Sequence, residues 1–146
     1  MTFSSTPPTL KLLRGVLIFK IAVTVFLWAG PLLLFPVSLF ETLMGEAPSP
    51  ISYARLLGVA YLALIVNYAG GFIQTTRGIV PWVTIWTGLV SNGGGLLMLT
   101  YLNLTGSQQA STLTAVSMTA LALIVSGLVF CTVRFRSSVT AMPKPV

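Results

Sequence analysis

The sequence has no histidine, one cysteine and two acidic residues, and charged side chains make up only 7% of its 146 positions. Each shortage removes a class of chemistry. With no histidine and a lone thiol, a haem, zinc or iron–sulfur site has almost no side chains to use as ligands. The many serines and threonines cannot be built into a Ser-His-acid nucleophile for the same reason. Both carboxylates, Glu41 and Glu46, fall between the first two apolar stretches, so none sits at mid-bilayer, where proton-coupled transporters keep an aspartate or glutamate. Cys131 is alone, which excludes an internal disulfide. These absences point to a protein that is not an enzyme and carries no metal or other cofactor.

What is present is apolar. Hydrophobic residues make up 55% of the chain and mean hydropathy is +0.93, whereas soluble domains carry about 25% charged residues. Four long apolar segments read as helices over residues 15–40, 51–76, 80–104 and 109–134. Each exceeds the roughly 20 residues needed to cross a hydrocarbon core about 30 Å thick. The expected fold is all-α, a polytopic membrane protein with an antiparallel bundle of four transmembrane helices and short loops. It forms a single domain over 1–146, with residues 1–9 and 137–146 as flexible tails. The first segment is too long, and too poor in a small-residue cleavage site, to be a signal peptide, so it reads as retained.

The net charge of +6 follows the same plan. Lys11, Arg14 and Lys20 precede the apolar part of the first span, Arg77 lies between the second and third, and Arg134, Arg136 and Lys144 follow the fourth. Four crossings place all seven on one side, with Arg55, Glu41 and Glu46 on the other. The positive-inside rule then puts both termini in the cytoplasm. Basic charge on this reading reports topology and contact with anionic headgroups, not nucleic-acid binding. Between Leu10 and Phe19, Lys11 and Arg14 interrupt an apolar pattern, which reads as an interfacial lead-in.

Proline and glycine mark the joints. Gly30-Pro31 predicts a bend in the first span and Pro36 its end. Ser49 and Pro50 suit the cap and first position of the second span. The connection TTRGIVP, residues 75–81, has a glycine to stop one helix and a proline to start the next, so the second and third spans are expected to be antiparallel neighbours.

In lipid, helices associate through close contact between small residues and a few interhelical hydrogen bonds. Ala60, Ala63, Asn67, Gly70 and Gln74 form one such seam at steps of three and four. Thr84, Gly88, Ser91, Asn92 and Gly95 form a second, and Ser117, Ala120, Gly127 and Cys131 a third. Counted from Thr76 and Pro81, Asn67 and Asn92 differ in depth by roughly 3 Å, close enough to hydrogen-bond across the hairpin. Gly70-Gly71 and Gly93-Gly94-Gly95 beside them would let the backbones approach. The other reading of the same residues is a polar pocket at mid-membrane, since three glycines weaken a helix by about 1 kcal/mol each. Glu41, Glu46 and Arg55 read as an interfacial ion pair tying the first span to the second, or as a contact for an anionic headgroup.

The stretches LFPVSLFETLMG, residues 34–45, and YARLLGVAYLALIV, residues 53–66, resemble small four-helix bacterial membrane proteins of the DoxX-like kind. The resemblance rests on Pro36, Phe40, Gly45, Arg55 and Gly58. It implies a four-helix bundle in a bacterial inner membrane and brings no catalytic residues with it. Some proteins of that kind accompany redox or quinone-linked membrane complexes.

Together these readings lead first to a non-catalytic membrane protein that works by helix association. It would be an accessory subunit of a larger assembly, photosynthetic or respiratory, or a homo-oligomer, with the lipid bilayer and other subunits or itself as partners. The alternative is a small-solute or lipid carrier using the Asn67/Asn92 region. A third reading is a component of a quinone- or lipid-handling enzyme.

Overall fold

The computed structural model describes residues 8–44, 47–106 and 112–140, and these are helices and their connections, with no strand. A continuous 27-residue helical run from Pro8 to Leu34 comprises α1 (Pro8–Val23), a π-helical segment (Thr24–Ala29) and α2 (Gly30–Leu34). Pro31 explains the widened turn. Its nitrogen has no hydrogen to donate and its ring crowds the preceding turn, and the Gly30 amide reaches back to the Val25 carbonyl, five residues away, as in a π-bulge. Phe35 is then extended, at φ −68° and ψ 131°, as a residue before proline prefers. Past Pro36 the short α3 (Val37–Met44) begins.

Three long helices follow in the order α4 (Ile51–Thr76), α5 (Trp82–Leu104) and α6 (Thr112–Thr140). The first long run packs against α4 and α6, and α5 packs against α6 and α4, so the four form a closed ring. Gly78, at φ +73°, ends α4 in a conformation that favours glycine. The Gly78 amide donates to the Thr75 carbonyl and that of Ile79 to Gln74. The chain then reverses into α5, as the glycine and proline predicted, although Pro81 caps α5 from outside the helix. Pro50 is likewise the cap of α4, without a side-chain cap bond, so Ser49 does not take the role expected of it.

The molecule is apolar outside. Phe26, Leu34, Val66, Val83, Val90, Leu97 and Leu104 are each more than 70% exposed, while Lys20, Thr75, Thr84, Asn92 and Ser117 are buried. Contiguous apolar exposure of this kind suits a lipid surround, not water. Three helices, Pro8–Leu34, Ile51–Thr76 and Thr112–Ser137, are long and apolar enough to cross a membrane. The fourth, α5, has the length at 23 residues but is diluted by its threonines, asparagines and glycines, so the expected four crossings stand at three by this measure.

The start of the first helix differs from expectation. Leu10, Leu13 and Leu17 are fully buried and belong to the core cluster with Tyr68, Ile85, Ile124 and Leu128. The segment is therefore bundle core and not an interfacial lead-in. Helix also takes in residues 8–9 and 137–140, which the sequence had placed in tails, while residues 1–7, 107–111 and 141–146 lie outside the described residues.

Candidate functional site

Lys20 is the thirteenth residue of the 27-residue helical run and is only 2% exposed. It does not precede the membrane helix; it sits at its middle. The register carries it there. Leu10, Leu13, Leu17, Lys20 and Thr24 recur at steps of three and four, and all five are buried, as one face of a helix requires. Lys11, off this face, is exposed.

Three side chains, Asn92, Ser91 and Tyr68, close a ring with the Lys20 amine. Its Nζ donates to Asn92 Oδ1 at 2.7 Å and lies 4.1 Å from the centroid of the Tyr68 ring, within the range of a cation–π contact. Asn92 Nδ2 donates to the Gly88 carbonyl and to Ser91 Oγ at 3.3 Å. Ser91 Oγ in turn shares a 2.9 Å hydrogen bond with the Tyr68 hydroxyl. Because an ammonium only donates, the Asn92 amide must present its oxygen to Lys20 and its nitrogen to the helix carbonyl. Below the amine, Thr24 Oγ1 donates to the Lys20 carbonyl at 2.8 Å.

The expected bond between the two asparagines is therefore absent. Asn92 is taken by Lys20, and the Asn67 side-chain oxygen accepts a long 3.4 Å contact from Thr84 Oγ1. The physical reason is rotation of α4. Ala60, Ala63 and Gln74 of its expected seam are exposed, and the inward positions are Ala54, Gly58, Tyr68, Gly71 and Thr75, one residue or about 100° around the helix. The large, hydroxyl-bearing Tyr68 fills the place that a small-residue rule reserves for alanine or glycine.

The glycines divide along the same line. A Cβ on Gly71 would lie 2.5 Å from Thr84, so close approach requires glycine there; one on Gly88 would lie 2.7 Å from Leu128 Cδ1, the end of a side chain that would have to turn aside. At Gly70, Gly93 and Gly94 a Cβ would meet nothing within 4 Å, and Gly94 is exposed. Those three do not serve the contact expected of them. Gly95 is different: it lines a cavity.

That cavity holds about 190 Å³ and borders Lys20, Trp28, Tyr61, Asn92, Gly95 and Met98 among others. It lies where α4 and α5 part. Near their turn the two are joined by Thr84 against Gly71 and by Tyr68 with Ser91. Farther along, the space between Tyr61 and Leu64 on one side and Met98 and Leu99 on the other is the cavity. Trp28, from the π-helical segment, stacks on Tyr61 at 5.7 Å between centroids and walls it. Met98 is 57% exposed, so the cavity reaches the lipid-facing surface. Its polar end is Lys20, Asn92 and Ser91; the rest is mostly apolar.

Arg55 is placed differently from expectation. Its Nη1 and Nη2 donate to the carbonyls of Leu32 at 2.7 Å and Phe35 at 2.6 Å, the free carbonyl end of α2. Glu41 is exposed and makes no ion pair with it among the described residues, and Glu46 lies outside them. A cation at the carbonyl end of a helix satisfies both the lone pairs and the dipole there, which accounts for the choice. Arg14 does the same at the other end, donating to the Thr75 carbonyl at 2.6 Å. Among the described residues no three His, Cys, Asp or Glu side chains gather as a metal site would require.

No protein-family model matches the chain, and no curated protein or solved structure is significantly similar to it.

Proposed function

We propose that this chain is a four-crossing integral membrane protein that takes up a small solute or lipid in a pocket at mid-membrane. The observation that carries the reading is the cavity of about 190 Å³ with the buried Lys20–Asn92 pair in its wall. A lysine inside a membrane is expensive to bury and marks a functional site by default. This reading puts the carrier expectation from sequence ahead of helix association. The fourth crossing is α5, whose polar Thr84 and Asn92 face inward while Val83, Val90, Leu97 and Leu104, seven residues apart, face out. Removing Lys20 from the boundary charges leaves, among the described residues, Lys11, Arg14, Arg77, Arg134 and Arg136 at the end of the bundle where α1 begins and α6 ends, and Arg55 at the other. This supports cytoplasmic termini, which reporter fusions at Gly106 and at the C-terminus would test.

A bacterial inner-membrane location and a DoxX-like kinship belong to the same proposal. Two of the residues behind the resemblance meet at one joint: Arg55 bonds the carbonyls on either side of the helix end, and Gly58 packs on Leu33. The test of the pocket is native mass spectrometry of the full chain released from lipid nanodiscs. A one-to-one adduct that disappears in Gly95→Val, whose added methyls enter the cavity, is the expected result. A bare chain in both proteins overturns the reading.

A second reading, association with other subunits or with itself, is favoured by Ala60, Ala63 and Gly94, small residues left exposed on α4 and α5. Small residues turned outward fit a partner helix better than lipid. Gentle purification that yields partners in fixed stoichiometry, lost in Ala63→Leu, would support it.

A further inference from the structure

The Lys20 ammonium has three hydrogens to donate, and among the described residues its one hydrogen bond goes to Asn92. The face of the Tyr68 ring takes part of the remaining charge. No carboxylate lies in the described helices that wall the cavity; Glu41, the one acidic residue described, is exposed on α3. A buried cation without a counter-charge is unfavourable in a medium of low dielectric constant. The neighbouring polar groups offer it little. Asn92 Nδ2 is committed to Gly88 and Ser91, and Thr24 Oγ1 to the Lys20 carbonyl. Tyr61, on the cavity wall, makes no hydrogen bond among the described residues and carries a further hydroxyl donor. The Lys20 end of the cavity thus has donors to spare and no negative group among the described residues, and its walls of Trp28, Leu64, Leu99 and Leu121 are apolar.

Resting on the pocket reading above, we infer that the ligand is a carboxylate, one negative charge on an apolar body, with its oxygens against Lys20 and its body between Trp28 and Met98. Charge and space together favour this class: one ammonium balances one negative charge, and a carboxylate carries it in the smallest organic head group. Size bounds the body. An apolar cavity of about 150 Å³ holds benzene, so about 190 Å³ takes a carboxyl group with one ring or a few methylenes. A longer tail leaves beside the exposed Met98 into the lipid. The same head chemistry can reach the site on a small aromatic acid from water or on a fatty acid from the bilayer.

Equilibrium binding to the full chain in nanodiscs of zwitterionic lipid tests this, with radiolabelled decanoate and decanol as probes and benzoate as competitor, at a pH above the carboxylate range. One saturable decanoate site per chain is expected, with decanol a poor competitor. Lys20→Met should weaken it at least about 30-fold, the lower end for truncating one partner of a buried charge pair. Gly95→Val should abolish it. Displacement by benzoate identifies the water-borne source and its failure to displace the lipid-borne one; both fit the inference. Decanol binding as tightly as decanoate, with Gly95→Val removing both and Lys20→Met neither, overturns the carboxylate and leaves the pocket standing. No saturable binding of either probe, or binding indifferent to Gly95→Val, removes the pocket and the inference together. If Lys20→Met does not yield a folded protein, the decanoate and decanol comparison on the unaltered chain still decides.

Discussion

The two halves of the bundle are built from similar residues and packed differently. In the half next to the α4–α5 turn, Gly71 brings Thr84 into contact, Trp82 meets Phe135 edge-to-face at 6.2 Å, and Arg14 closes the carbonyl end of α4. In the other half the first helix widens into a π-helical segment and stops before Pro36, and α4 and α5 part around a cavity. Regular helices joined by a tight turn pack closely. A helix disturbed by proline leaves a gap, and the polar ring of Lys20, Asn92, Ser91 and Tyr68 stands at the boundary between the two regimes.

The same substitution should therefore behave differently in the two halves. Gly71→Ala places a methyl 2.5 Å from Thr84, and forcing such an overlap costs about 1–3 kcal/mol, offset in part by about 1 kcal/mol of helix propensity, so a net loss is expected. Gly95→Ala meets only Leu121 at 3.5 Å and gains about 1 kcal/mol of helix propensity, so its net effect should be close to neutral or stabilising. Unfolding titrations in mixed micelles measure both. Equal losses at the two sites would erase the distinction between the halves.

At the boundary, Asn92→Leu removes the acceptor of the Lys20 hydrogen bond and should cost about 1.5–3 kcal/mol, the range for bonds to charged groups. The double variant Lys20→Met/Asn92→Leu should recover most of that loss, because two well-packed apolar groups leave no buried donor behind. Additive losses across this cycle would mean the two residues do not act on one another. Smaller effects are expected away from the ring. Arg55→Gln loosens the joint after Leu32 by about 1–2 kcal/mol, and pulse proteolysis should show cleavage moving towards residues 35–44. Asn67→Leu, which gives up only a 3.4 Å contact, should change stability by less than about 1 kcal/mol. A loss there as large as at Asn92 would restore the asparagine pair that the structure dissolves.

Much of the scaffold was legible in the sequence because it rests on local chemistry. Gly78 and Pro81 announced the hairpin, and Pro36 announced the end of the first long helix. Gly88 and Asn92 were placed on the inward face of α5 because they recur with the period of a helix. Two things were harder to read. The face of α4 was mistaken because alanines and glycines define a plausible seam, whereas the true one is centred on Tyr68, an aromatic that earns burial through its hydroxyl bond to Ser91. Lys20 reads from sequence as a boundary marker because charge usually means interface. The opposing signal was present: Leu10, Leu13, Leu17 and Thr24 set a register that Lys20 completes, and periodicity outweighed charge. The cavity itself had no local signature, since it arises from how far α4 and α5 part.

Everything proposed for the pocket depends on a lysine amine and an asparagine amide meeting inside the bundle. The chain has only three lysines and three asparagines, so solid-state NMR on lipid-embedded protein, labelled with 15N at lysine Nζ and 13C at asparagine Cγ, reads that meeting directly. A strong Nζ–Cγ dipolar contact is expected, consistent with the 2.7 Å bond from Lys20 Nζ to Asn92 Oδ1, and it should vanish in Asn92→Leu. Absence of the contact in the unaltered chain, or its survival in Asn92→Leu, would contradict the account.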